Sequence, residues 1–268
     1  MAEPHDARNS PYESLRVDRT GGVVTITLDR PERKNAINAA MWDELSTVVG
    51  EIARRPADRV VVITGAGGDF CSGADLAEPS AEEEEHHLTR LRRVGDLCLA
   101  IARLPQPTIA KVRGVAVGAG LNLALESDLV VAAEGARFSE IFAKRGLSLD
   151  FGGSWILPRL VGMHGAKELA LLARIIDAHE AAAIGLVNRV VPDAELDALV
   201  DGWVAELVAG PPIALALTKR LLNNSFNVTL EEALDDEAVS QAVNLGTTDH
   251  REAIAAFLLK RDPRFEGR

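Results

Sequence analysis

Two glycine-rich turns and two acids are where residue type and spacing in this 268-residue chain suggest chemistry. The turns cover residues 64–76 (TGAGGDFCSGADL) and 112–122 (VRGVAVGAGLN). Each follows an apolar run of strand length and leads into a helix-forming stretch. Unsatisfied backbone N–H groups at a helix N-terminus attract negative charge. Two of them aimed at one oxygen would stabilise a developing enolate; the competing explanation is that the glycines serve close packing. The acids are Asp150 and Glu140. Asp150 precedes a helix and can act as its N-cap. It can also be a general acid/base in an apolar pocket of Leu147, Leu149, Phe151 and Trp155, where desolvation raises its pKa and the helix terminus lowers it. Glu140 can reach an acyl group, act on water, or pair with Arg145 as a structural link, the last being the favoured role.

Other catalytic signatures are broken. His179 and Glu180 begin a zinc-binding HExxH, but residue 183 is Ala. A serine elbow fails at Gly153, Ser154 and Trp155, and Ser154 reads as a helix N-cap. No Walker A occurs. Gly118 and Gly120 open a helix, but Leu123 stands where a dinucleotide fingerprint needs its third glycine. No metal site is expected. Cys71 has only Asp69 and Asp75 beside it, a poor setting for a thiolate. His86 and His87 read as a solvated pair, and Glu126 and Asp128 as structural.

The elements that must position these groups alternate between strand and helix. Residues 14–17 and 23–28 form a hairpin signal around residues 19–22. Asn38 caps a helix running to about Arg54. Residues 59–64 (RVVVIT) read as a strand buried on both faces. An acidic loop at 78–87 leads into a helix ending near Arg103. A strand at 108–112, a helix at 121–126 and a strand at 128–132 follow. Residues 138–153 read as irregular. Asp177 and Glu180 have capping-box spacing for a helix ending at Gly185. A strand at 187–191 precedes helices at 196–209, 213–226, 230–245 and 249–260. The last of these carry apolar stripes that need a partner. This order predicts an α/β fold with a core at 1–195 and a C-terminal helical region at 196–268.

Composition narrows the function. With 29 Lys and Arg against 40 Asp and Glu, the net charge is −11, which disfavours nucleic-acid binding. Two cysteines without a CxxC suit a reducing cytosol. The first ten residues lack the apolar stretch of a signal peptide. No apolar run approaches the ~20 residues of a transmembrane helix, so neither membrane nor nucleic acid is an expected partner.

Taken together, the two turns resemble those of the crotonase (enoyl-CoA hydratase/isomerase) superfamily. The likeness continues through residues 30–38 (RPERKNAIN), 138–140 (FSE), 146–155 (GLSLDFGGSW), 158–162 (PRLVG) and 182–187 (AAIGLV). It implies ββα units wound into a superhelix, a C-terminal helical trimerisation region, and a homotrimer or homohexamer. It implies an acyl-coenzyme A thioester as substrate, with no further cofactor, and a cytoplasmic enzyme. The two oxyanion amides would be those of Ala74 and Ala119. Coenzyme A would bend around the loop of Gly73, Asp75 and Leu76, near Gly118, with Arg33 or Lys34 facing its phosphates. Phe257 and Lys260 match positions that close over the ligand, often from a neighbouring subunit. The family's two water-handling glutamates fall at Asn122 and Phe142, neither of which exchanges a proton. Asp150 matches the acid/base of a double-bond-shifting branch that includes the isomerase of bacterial phenylacetate degradation. Isomerisation is therefore the expected reaction. Hydration through Glu140, attack by Asp150 on an aryl-CoA, or acyl-CoA binding without turnover are the alternatives.

Overall fold

The computed structural model describes residues 11–77 and 86–268. The hairpin expected near the start is strands β1 (Leu15–Thr20) and β2 (Val23–Leu28), closed by left-handed Gly21 and Gly22. Helix α1 (Ala39–Ala53) follows, its first turn capped by Asn38, whose side chain accepts the Met41 N–H at 2.9 Å. Then come β3 (Val60–Gly65), α2 (His87–Ala102), β4 (Thr108–Val112), β5 (Val115–Val117), α3 (Ala119–Leu125), β6 (Leu129–Ala133) and β7 (Arg137–Ser139). After a 3-10 turn at Ile141–Arg145 the chain continues as α4 (Gly153–Leu172), β8 (Ile176–Asp177), α5 (Ala178–Ala183) and β9 (Arg189–Val191). Helices α6 (Asp193–Ala209), α7 (Pro212–Asn224), α8 (Leu230–Leu245) and α9 (Thr248–Leu259) complete it.

The six-stranded sheet has the order β1-β2-β3-β4-β6-β9, parallel except for the first hairpin. Strand β3 is apolar on both faces because both are covered. One face meets α1, with Val61 and Ile63 packed among Met41, Leu45 and Ile52. The other meets α6, with Val60 and Val62 packed against Leu196 and Val200. Helix α6 thus spans the expected boundary at residues 195 and 196 and packs on the sheet. A smaller sheet, β5-β7-β8, lies under the second glycine turn.

Two local expectations are corrected. Residues 138–153 are not irregular throughout: β7 pairs with β5 in parallel, Phe138 opposite Ala116, a non-local contact that a short local pattern cannot reveal. The first residue of α3 is Ala119, two positions before the expected start, because the turn of Gly118 already admits helical backbone after it. The acidic loop lies almost wholly outside the described residues. His86, at its end, caps α2, its Nδ1 accepting the Leu88 N–H at 3.2 Å. Among the described residues no single helix is long and apolar enough to cross a membrane.

The C-terminal helices are tied to the core by charge and leave apolar surface free. Lys219 of α7 reaches Asp128 at 2.7 Å, and the Asp128 carboxylate also accepts from the N–H and hydroxyl of Thr108. Asp249 of α9 accepts the Glu266 and Gly267 N–H groups and holds the final residues. Leu222, Phe226, Leu230, Leu234, Val239 and Leu258 remain exposed.

Candidate active site

The two glycine turns meet because the first runs beside β5, which lies within the second. The Phe70 N–H donates to Arg113, the Cys71 N–H to Val115, and the Val117 N–H back to Cys71. Gly73, at φ 98°, makes the last close approach. A Cβ there would stand 2.9 Å from the Val117 oxygen and 3.8 Å from the Ala119 nitrogen. Any other residue would both strain the backbone and push the turns apart.

Ala74 is bracketed rather than consumed. The Ile37 N–H donates to Gly73 and the Asp75 N–H to Ile37, leaving the Ala74 N–H unpaired between them. Ala119 is the first residue of α3, so its N–H has no intrahelical acceptor. Among the described residues neither amide finds a partner. Both residues line a cavity of about 360 Å³, together with Arg33, Gly73, Asp75, Leu76, Gly118, Phe142, Leu147 and Asp150. Two free amides on one concave wall are what an enolate oxygen requires.

The support behind this wall was not legible as such. Asn35 is fully buried and left-handed, at φ 55°. Its Nδ2 donates to Ala66 at 2.9 Å and Asp69 at 2.7 Å, and its Oδ1 accepts the Arg30 N–H at 2.9 Å. It therefore clamps the 30–38 turn to the first glycine loop. Arg30 adds an ion pair to Asp75 at 2.9 Å. Burial would raise the Asp75 carboxyl, but the Ala77 N–H and Arg30 outweigh it and hold the acid below its usual range. A buried Asn beside residues needing positive φ was the available signal.

Asp150 is not a cap. The N-cap of α4 is Gly152 and makes no side-chain cap bond, and Ser154 lies inside the helix. Phe151 and Gly152 are both left-handed, at φ 43° and 78°. That reversal turns Phe151 into the core against Trp42, ring centroids 5.4 Å apart, and leaves the Asp150 side chain on the cavity wall. Only the Asp150 carbonyl serves the backbone, accepting from Gly153 at 2.9 Å and from the Asn122 Nδ2 at 3.0 Å. Its buried Oδ1 has no partner. Burial pushes the carboxyl up to about 6.

Glu140 is also not the structural link expected of it. It makes no ion pair with Arg145, which lines the cavity instead. Its side chain is fully buried and neither carboxyl oxygen has a hydrogen-bond partner. Burial, then the Asp150 charge, push it up to about 8, while hydrogen bonding from the Asn122 side chain pulls it down. A third acid, Glu126, reaches about 7 through burial, offset in part by Cys98 and Lys219. It stands directly behind Gly152, where a Cβ would come within 2.2 Å of Glu126 Oε1. Burial raises the thiols of Cys71 and Cys98 to about 12, which removes both as nucleophiles.

The remaining expected residues divide. Arg33, Gly73, Asp75, Leu76, Gly118 and Phe142 line the cavity. Asn122 is fully buried behind it, holding the Asp150 loop. Lys34 is turned toward Asp69 at 3.5 Å. Trp155 lies outside the cavity wall under the Arg159 guanidinium, 3.8 Å from its ring centre. Leu149 and Phe151 also leave the expected pocket, of which Leu147 alone joins Asp150 on the wall. Phe257 and Lys260, at the end of α9, do not line the cavity within this chain, and Phe257 is 80% exposed.

Comparison with known proteins places the chain in a family. The enoyl-CoA hydratase/isomerase family model matches residues 18–268. A Rhodobacter capsulatus protein named probable enoyl-CoA hydratase is 42% identical, covering 96% of this chain and 99% of its own. The Escherichia coli 1,2-epoxyphenylacetyl-CoA isomerase is 38% identical, covering 92% and 96%. The crystal structure of a Mycobacterium smegmatis enoyl-CoA hydratase, 37% identical, superposes with a TM-score of 0.89 over 94% of this chain and 99% of that one. The chain belongs to the enoyl-CoA hydratase/isomerase family, and its fold is the crotonase fold.

Proposed function

We propose that this acyl-CoA enzyme shifts a carbon–carbon double bond, with Asp150 as its acid/base. The observation that carries the reading is Asp150 on the wall that also holds the Ala74 and Ala119 amides, with Asn122 and Phe142 at the matched glutamate positions. A 3-enoyl thioester would lie with its carbonyl oxygen between the two amides. The Asp150 carboxylate takes a proton from the carbon between the thioester and the double bond. The electron pair moves into a dienolate whose oxygen the amides stabilise. Asp150 then returns the proton to the far carbon, giving the conjugated 2-enoyl thioester. One acid suffices, and coenzyme A enters only as part of the substrate.

Arg33, on the cavity wall, is suited to the coenzyme A phosphates. The exposed apolar faces of α7, α8 and α9 support a homotrimer or homohexamer, in which Phe257 and Lys260 would close a neighbour's site. The free cysteines and net negative charge support a cytoplasmic enzyme without nucleic acid as a partner.

A second reading, hydration, is favoured by one feature: two buried acids, Glu140 and Asp150, stand near enough for the Asp150 charge to raise Glu140. Glu140 does not line the cavity, which weighs against its handling water. The test is to incubate purified enzyme with 3-enoyl-CoA and 2-enoyl-CoA in oxygen-18 water and read products by mass spectrometry. Isomerised product without label, abolished in Asp150→Asn, is expected. Labelled 3-hydroxyacyl-CoA as main product would replace isomerisation by hydration, and unchanged turnover in Asp150→Asn would end the assignment to that residue.

A further inference from the structure

Four buried oxygens around the Asp150 loop lack a hydrogen-bond donor. They are both carboxyl oxygens of Glu140, the Oδ1 of Asn122 and the Oδ1 of Asp150. Buried polar atoms are rarely left so, because each gives up its bonds to water without replacement. Every atom in this group is an acceptor. The Asn122 Nδ2 gives one of its two hydrogens to the Asp150 carbonyl at 3.0 Å, and the pull of its amide on the Glu140 carboxylate is outweighed by burial and by the Asp150 charge. Two carboxylates cannot both ionise here without adding repulsion to the cost of desolvation. A proton on one of them removes a charge and creates the missing donor.

The two acids are not equivalent. Asp150 lies on the cavity wall, where solvent or substrate reaches it, whereas Glu140 is wholly enclosed. The groups bearing on Glu140 are Asp150 from the loop before α4 and Asn122 from α3. Lys144 and Arg145, in its own segment, are exposed, and Glu126 and Cys98 lie behind Gly152. Among the described residues no cation compensates a charge on Glu140. Asp150, at about 6, ionises first and against a neutral neighbour; Glu140, at about 8, would have to ionise against a charged one.

We propose that Glu140 is a positioning residue held as the neutral acid, whose O–H is donated to the Asn122 Oδ1 and so fixes the carboxamide that holds the Asp150 loop. The site then carries one negative charge, on the acid that faces substrate. Glu140 touches no reacting atom; it acts through Asn122. The chain Glu140 O–H to Asn122 Oδ1, then Asn122 Nδ2–H to Asp150 carbonyl, uses both ends of one amide in one direction. It also gives a role to Asn122, which stands where the family pattern has a glutamate. This role rests on Asp150 being the acid/base.

Infrared spectroscopy of the resting protein and steady-state kinetics test it together. At pH 7 the wild-type minus Glu140→Gln difference spectrum should contain the C=O stretch of a protonated carboxylic acid, which fades as the wild type is titrated through about pH 8. Glu140→Ala should lower kcat by about 100-fold through misplacement of Asp150, with KM little changed. Glu140→Gln, neutral and still a donor, should recover at least tenfold of that loss and lose the fall in kcat above pH 8. A difference spectrum without the acid band, or Gln and Ala variants equally impaired across the pH range, would overturn the proposal. The infrared reading needs no turnover. A chain that holds Glu140 neutral yet isomerises no 3-enoyl thioester would retire Asp150 as acid/base and keep the neutral acid. A chain that isomerises but lacks the band would do the reverse.

Discussion

The two-amide part of the site and the buried acids beside it are built from different materials. The wall is backbone: two amides left free by a turn on each side, pinned by main-chain hydrogen bonds to β5 and by the Asn35 clamp. The acid segment is side chain: Asp150, Glu140 and Glu126, all raised above the usual carboxylate range by burial. A backbone donor keeps its chemistry whatever side chain it carries, provided the fold places it. A carboxyl is set by its surroundings. On the proposed function, the two amides would serve any reaction that passes through an enolate, and the acids would decide which one occurs.

Four experiments break or sharpen this contrast. The largest effect should come from the acid: Asp150→Asn keeps the size and removes the base, lowering kcat by about 10²–10⁴-fold with the fold intact. Next is the wall. Gly73→Ala places a Cβ 2.9 Å from the Val117 oxygen at a φ of 98°, which should separate the amides. Loss of one such donor lowers kcat by roughly 10²–10³-fold. If Gly73→Ala left kcat intact, the two-amide wall would not be the enolate site.

The third concerns the clamp. Asn35→Ala removes three hydrogen bonds and leaves buried groups unpaired, so urea denaturation should show a loss of about 3 kcal/mol. A loss within experimental error would mean that the glycine loop is held by its main-chain bonds alone.

The smallest effect is the pH dependence of stability. The folded pKa values of Asp150, Glu126 and Glu140 are raised, so each acid contributes stability fully present below its unfolded pKa and lost as pH rises through the folded value. The unfolding temperature should therefore fall as pH rises from about 4 to 8, the window set by the values near 6, 7 and 8. Glu140→Gln should flatten the upper part of that slope. An unchanged slope in this variant would show that Glu140 is not buried as an acid.

The hairpin, the capped α1 and the Asp177 cap were legible because their signals are local: a turn residue beside β-formers, or a side chain reaching an N–H three residues on. The pairing of β7 with β5 was not, because its partner is more than twenty positions away in the chain. The same distance hid the roles of Asn35 and Asn122. Each bonds across loops that only folding brings together.

By itself, the sequence determined the α/β order, the family, the two turns and the candidacy of Asp150, since glycine at a forced φ and an acid in an apolar stretch are written residue by residue. Tertiary structure alone decided that Asp150 faces the cavity instead of capping α4, because the left-handed Phe151 and Gly152 turn the chain there. It also decided that, among the described residues, no cation stands beside Glu140 and that Lys34 and Trp155 do not line the cavity. Hydrogen bonding, burial and charge pairing depend on neighbours in space, and a linear order of residues does not specify them.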